Sequence, residues 1–446
     1  MSEAILVSGG HVIDPANGRD EGASVLIIAG KIAAVGHVTE ADARNHMIKQ
    51  GAPGKVRKLD AKGLLVLPGL VDMRAHMGEP GRDSEETIAH GAEVAIHGGF
   101  TTVACMPDTE PVIDNVAAAL FVRRQSEQAG FAEVVPVCAL TKGREGRELA
   151  EIGQLVEAGA VAFSDEQRAE NSPAAILRGM HYCAMFDRAV IEFAQDPELA
   201  GGAMNAGYES MLAGLPGIPS VAEELAVSRA CMFARETGCH YHAAKVSTKN
   251  AVRALKRAKK LKVRVTAEVA VHNLMFTDEV VRARYDTNFK VFPPFRTPED
   301  VKWLKRGLQE GVIDCLVSAH RPVPPHEKEW EFGRAPFGAV GLETALAAAW
   351  VTLVEGDVLS RSELVAKLTI NPARVLRLDS RKGSLTPGHD ADVCLFDPAT
   401  KWTVTPDALF SHAKNSPFLG TEIKGRVKAT IARGRLFEFQ AVRHTS

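Results

Sequence analysis

From Pro68 to about residue 378, short apolar runs of strand character alternate with longer runs of helical spacing, and this rhythm restricts the fold more than any other feature of the chain. The strand-like runs are TTVACMP, VVPVCAL, AVAFSD, AVIEFA, HYHAAKVS, VRVTAEVA and DCLVSAH. Between them lie helical stretches such as ETIAHGAEVAIHGG, SVAEELAVSRACMFARETG and TKNAVRALKRAKKL. Alternation of this kind predicts an α/β protein with a parallel sheet and crossover helices. Roughly seven or eight such units fit a (β/α)8 TIM-like barrel. The flanks read differently. AILVSGGHVI, SVLIIAGKIAAVG and LLVLPG on one side, and KGSLTPGHDADVCLFDP and EIKGRVKATIARGRLFEF on the other, are β-rich runs broken by Gly and polar turns. Neither flank alone can bury a core. Residues 1–67 and 379–446 are therefore expected to pair into one small β-sandwich domain beside a barrel at 68–378.

Composition removes several classes of function. The net charge is −2, with 46% hydrophobic and 24% charged residues, so no basic surplus points to nucleic acid or a membrane surface. The basic run KRAKKLKVR at 256–264 reads as the solvated end of a helix. The 7 cysteines are scattered and never form CxxC, which predicts free thiols in a reducing cytoplasm. The N-terminus has no basic region followed by an apolar one, and no apolar run reaches the length of a membrane span. A cytoplasmic protein is expected.

Functional residues of such a barrel sit at the C-terminal ends of its strands. The richest stretch is Pro68–Asn115, where the first strand ends in Arg74-Ala75-His76. Arg offers no lone pair to a metal. The Gly-rich pieces GGFTT and GLPGIP lack P-loop spacing and read as tight strand–helix packing. His97, His272, His320 and His326 read as structural or surface residues.

Whole segments then carry a resemblance. GGFTTVACMPDTEPV, AQDPELA, GLPGIPSVAEELAVSRA, HAAKVSTKNAV, VTAEVAVHNL, PFGAVGLETAL, TINPARVLRL and NSPFLGTEIKGRV span nearly the whole chain. Together they resemble the class of dihydroorotases, cyclic amidohydrolases often fused to or assembled with aspartate transcarbamoylase. Allantoinase and hydantoinase are weaker fits. The resemblance implies zinc held by a His-x-His pair, a bridging carboxylate or modified lysine, two later histidines and a final aspartate.

Carried over by position, the first pair becomes Arg74 and His76, and the bridging carboxylate becomes Asp165. Phe193 and Lys245 stand where the later histidines would be, and Ala319 stands at the aspartate. His242 survives nearby but is not at a ligand position. Only His76 and Asp165 keep ligating side chains, fewer than the three that catalytic zinc takes. The substrate positions are degenerate too: Gly78 replaces an arginine, and Asp108 and Phe292 replace asparagines. An anionic substrate would lose a bidentate cation and meet a new carboxylate.

These substitutions predict a collapsed site. Arg74 or Lys245 is expected within ion-pair range of Asp165, replacing the metal's charge, with Phe193 and Phe292 filling the volume of water and substrate. The chain then reads as a non-catalytic dihydroorotase-like protein of pyrimidine biosynthesis. It would scaffold the aspartate transcarbamoylase catalytic subunit, form a homodimer and take no cofactor. One alternative is an active cyclic-amide hydrolase with an altered or mononuclear zinc site, using Asp165, His76 and Asp108. Another is a sensor whose Arg74, Lys245 and Arg321 bind an anion.

Overall fold

The computed structural model describes residues 2–49, 54–167 and 172–439. Eight parallel strands make the central sheet. In chain order they are Leu70–Ala75, Phe100–Cys105, Glu133–Cys138, Ala162–Phe163, Ala189–Phe193, Tyr241–Ala244, Val265–Ala270 and Cys315–Val317. Each pairs with the next in that order. The first and last are joined by an Ala75–His320 bridge, and the His76 amide donates to the His320 carbonyl at 2.9 Å. The buried Asp72 carboxylate accepts from the Ser318 amide at 3.1 Å and from the Ser318 hydroxyl. The sheet is thus a TIM-like barrel, as the alternating pattern predicts. Val71, Met73, Val135, Val137, Ile191 and Val317 fill its interior.

The helices between strands bury one stripe each. In Lys249–Lys260, Ala251, Val252, Leu255 and Ala258 face inward, and the Thr248 hydroxyl caps the first turn by accepting from the Ala251 amide. Its lysines and arginines face out. Lys256 pairs with Glu310 and Lys259 with Asp314, so this basic run is a solvated helix face.

Two further sheets lie beside the barrel. One has four strands, ordered Lys31–Gly36, Ser24–Ile28, Ser2–Ser8 and Gly54–Asp60. The other has six and mixes the two ends of the chain: Leu65–Pro68 lies between His11–Asp14 and Val393–Thr403, and Glu422–Ala432 pairs with the latter. The period of two explains their packing. Ile5 and Val7 face Val393, Leu395 and Ile431 of the six-stranded sheet. Their neighbours Ala4 and Leu6 face the other way, onto Ala43 and Met47.

Ala43 and Met47 belong to a helix, Glu40–Lys49, that the strand-only reading of the N-terminal flank missed. Its signals are local: Thr39 accepts from the Asp42 amide at the N-terminus, acidic residues occupy the first turn, and the apolar pair is spaced i, i+4. All the cysteines are buried and free. Among the described residues, no helix is long and apolar enough to cross a membrane.

Candidate active site

The C-terminal ends of the barrel strands converge on a buried ionic cluster centred on Arg74. Its side chain has no solvent exposure. Nε donates to Glu268 Oε1 at 2.6 Å, and Nη1 donates to Glu166 Oε2. Both carboxylates are equally buried. Glu268 also accepts from His242 at 3.2 Å, and His242 is fixed on its other side by Thr266 at 2.8 Å. The second oxygen of Glu166 lies 3.6 Å from His76 Nε2 and 3.8 Å from Lys245 Nζ.

Burial disfavours every charge here, so the pairing decides which survive. Burial works to raise the pKa of Glu166, but Arg74, Lys245 and His76 outweigh it and bring it to about 2. Burial likewise opposes the charge of Glu268, and Arg74 and His242 lower its pKa on balance. For Lys245 burial wins and brings the amine down to about 8, against the pull of Glu166. Burial also lowers His76 to about 4, which leaves it neutral at pH 7. Its Nδ1–H then donates to Asp108 at 2.8 Å.

Asp108 closes a second layer. Arg321 Nη1 is 3.5 Å from its carboxylate, and Arg82 Nη2 is 3.7 Å away and donates to its backbone carbonyl. Beside this layer, Lys245 Nζ sits 4.5 Å over the ring of Phe193. Phe193 packs on Phe292 at 4.7 Å, and Phe292 on Phe337 at 5.0 Å. Aromatic rings therefore pack between the fifth strand and the Phe292 loop.

One assignment is corrected. Asp165 does not pair with Arg74 or Lys245. Its carboxylate accepts from the Leu140 and Thr141 amides, both at 2.9 Å, and from the Thr141 hydroxyl at 2.7 Å. The next residue, Glu166, takes the inward place. It adopts a left-handed backbone, φ 50°, with its amide donating to Ser164 Oγ at 3.0 Å, and this turn swings the two carboxylates to opposite sides. Glu268 was missed altogether. Its signal was a lone acidic residue inside the apolar strand VTAEVA. The anion-sensor reading also fails on its chosen residues, because Arg74, Lys245 and Arg321 each face a carboxylate of the chain itself.

Ala319 lies two residues past the last strand with φ 51°, and Lys245 follows its strand with φ 47°. At Gly78 the loop closes tightly, and a Cβ would lie 2.0 Å from the Arg82 carbonyl oxygen. His272 and His320 are buried outside the cluster, and His326 is exposed. His97 stacks on Phe410 at 4.2 Å, away from the strand ends.

Comparison with known proteins places this geometry. Residues 63–251 match the family described as Dihydro-orotase-like, and residues 336–437 match the Amidohydrolase family. A Dihydroorotase of Pelotomaculum thermopropionicum is 45% identical over 434 residues, covering 97% of this chain and 98% of the relative. The chain belongs to the dihydroorotase family. A Dihydroorotase of Syntrophus aciditrophicus is 42% identical over 433 residues, with 97% and 98% covered. Among solved structures, the L-hydantoinase of Arthrobacter aurescens superposes with a TM-score of 0.84 at 26% identity, covering 98% of this chain and 96% of that one. The dihydropyrimidinase of Brevibacillus agri NCHU1002 shares the fold, with a TM-score of 0.83 at 18% identity over 97% and 94% of the two chains.

Membership corrects the expectation of no cofactor, since dihydroorotase-family and amidohydrolase proteins typically depend on zinc. The strand-end residues fit such a metal poorly. A guanidinium stands between Glu166 and Glu268, at the point where carboxylates would otherwise face a cation. Among the described residues, no three His, Cys, Asp or Glu side chains are grouped to hold a metal ion. The cluster therefore supports no chemical step routed through a metal.

Proposed function

We propose that this dihydroorotase-family chain of pyrimidine biosynthesis no longer interconverts carbamoyl aspartate and dihydroorotate, and serves as a scaffold for the aspartate transcarbamoylase catalytic subunit. In this reading it acts in the cytoplasm as a homodimer. One observation carries the loss of chemistry: the fully buried Arg74 is tied to both Glu166 and Glu268. Arg74 holds one oxygen of each carboxylate at the place where a catalytic cation and its water would sit. The degenerate substrate positions point the same way, because Gly78 supplies no cation for a substrate carboxylate and Asp108 repels one. The scaffold role rests on the resemblance to transcarbamoylase-associated dihydroorotases and on the intact barrel.

A second reading has its own support. Relatives 45% and 42% identical over nearly full length carry the name Dihydroorotase, which favours an active cyclic-amide hydrolase with an altered site. The test separates the two. The full chain, purified with zinc supplied throughout, is assayed for ring closure and ring opening. It is also co-expressed with the cognate transcarbamoylase and followed by size exclusion. The scaffold reading expects no turnover and a shared peak. Turnover that is lost in Glu166→Gln would establish the hydrolase. A transcarbamoylase that assembles and works equally well alone would remove the scaffold.

A further inference from the structure

At the opposite end of the barrel, where strands Glu133–Cys138, Ala162–Phe163 and Ala189–Phe193 begin, lies a cavity of about 250 Å³. Arg123, Arg188, Arg377, Arg381 and Arg433 line it, against Glu127 and Glu133. Two of these arginines are already answered. Arg381 grips Glu133 with two hydrogen bonds of 2.6 Å and reaches Asp390 at 3.0 Å. Arg377 pairs with Asp187. Glu133 is spent on this task, since Lys382 also holds it at 3.0 Å.

The other three are not answered by any carboxylate among the described residues. Arg123 donates to the Ala158 carbonyl at 3.1 Å and Arg188 to the Ala160 carbonyl at 3.2 Å. These neutral tethers orient each guanidinium and leave its other N–H groups unused. The Arg433 side chain has no hydrogen bond or ion pair among the described residues. The three come from separate parts of the chain: a helix, the lead into the fifth barrel strand, and the turn after Glu422–Ala432. The backbone also makes room for one of them. A Cβ at Gly159 would lie 2.9 Å from Arg123 Cδ and 3.0 Å from its Nη1, so the arginine lies across a position without a side chain.

With Glu133 taken by Arg381 and Lys382, Glu127 is the one lining carboxylate left among the described residues to face three guanidinium groups, so the cavity keeps an excess of positive charge that repels itself unless a further anion sits there. Planar guanidinium groups match phosphate oxygens in pairs, and more weakly hydrated cations give up water at lower cost. We propose that this cavity is a binding site for a small phosphorylated anion of diphosphate type, held by Arg123, Arg188 and Arg433. It lies at the far end of the barrel from the strand-end cluster and is independent of whether that cluster catalyses.

Isothermal titration of the full chain with inorganic pyrophosphate tests it. Saturable binding near one per chain is expected, weakening as salt rises. Arg188→Glu combined with Arg433→Glu should weaken it by at least about tenfold, with the ligand-free melting midpoint unchanged. If that pair fails to fold, Arg123→Gln reads the same site with a milder change. Arg82→Glu, at the barrel mouth, should leave affinity as it was. The proposal is overturned if the parent shows no saturable heat, if the cavity variants bind like the parent, or if Arg82→Glu alone removes binding.

Discussion

Arg74 and Glu166 are the pair on which the strand-end cluster depends. Removing one partner of a buried ion pair leaves an uncompensated charge, which costs roughly 3–5 kcal/mol. Arg74→Met should therefore destabilise the fold by about that amount in urea unfolding, because Glu268 would lose its guanidinium and Glu166 would keep only Lys245, at 3.8 Å. The correction at Asp165 has its own measurable consequence. A double-mutant cycle between Arg74 and Glu166 should give a coupling above about 1 kcal/mol, and one between Arg74 and Asp165 a value near zero. The reverse result would restore Asp165 to the inward place.

Acidity adds a third check at this scale. Glu166 titrates at about 2 in the fold against 4.5 for a free glutamate, so the unfolded chain takes up its proton first as pH falls. Its contribution is fully present above about pH 4.5 and is lost progressively towards pH 2, a change of roughly 3 kcal/mol. The stability gap between the parent and Glu166→Gln should close over that window. A gap that persists unchanged at pH 2 would assign the ionic role to another group.

Strand ends and loops decide what the sequence could reveal at the level of elements. The barrel strands were legible because apolar runs bounded by helical spacing have few other uses. The inward carboxylate was not, because Asp165 and Glu166 are adjacent and a single left-handed residue sets which one turns in. Local chemistry favours neither. The helix Glu40–Lys49 was readable from Thr39 and the Ala43–Met47 spacing, but it lay among strands and was passed over. The loop at Gly78 shows why returning one family residue does not return the site. Any side chain there meets the Arg82 carbonyl, so Gly78→Arg must push the loop aside. It should cost about 1–3 kcal/mol by overpacking, with no gain in affinity for carbamoyl aspartate by calorimetry. Tight binding with unchanged stability would show that the loop opens freely.

At the scale of the whole molecule, the flanking strands on the two sides of the barrel share one sheet and one core. Leu65–Pro68 leads directly into the barrel and lies between a strand from each flank, so the sheet holds the barrel's first strand in place from both sides. Its packing partners are spread over the full length of the chain: Ile5, Val7, Val25 and Ile27 meet Val393, Leu395, Ala429 and Ile431. A chain ending at residue 378 would expose the N-terminal half of that layer. Fully burying one Val, Leu or Ile side chain is worth about 1.5–3 kcal/mol. Losing several such partners at once is comparable to the roughly 5–15 kcal/mol that holds a domain folded. The charged cluster at the seam would go as well, because Arg381, Lys382, Asp390 and Asp392 of the C-terminal segment meet one another and Glu133 of the barrel there. Residues 1–378 expressed alone should therefore be insoluble or lack a cooperative melting transition, and adding residues 379–446 as a separate chain should restore solubility by completing the sheet. A soluble 1–378 fragment that melts cooperatively near the parent's midpoint would show that the barrel stands without the C-terminal strands.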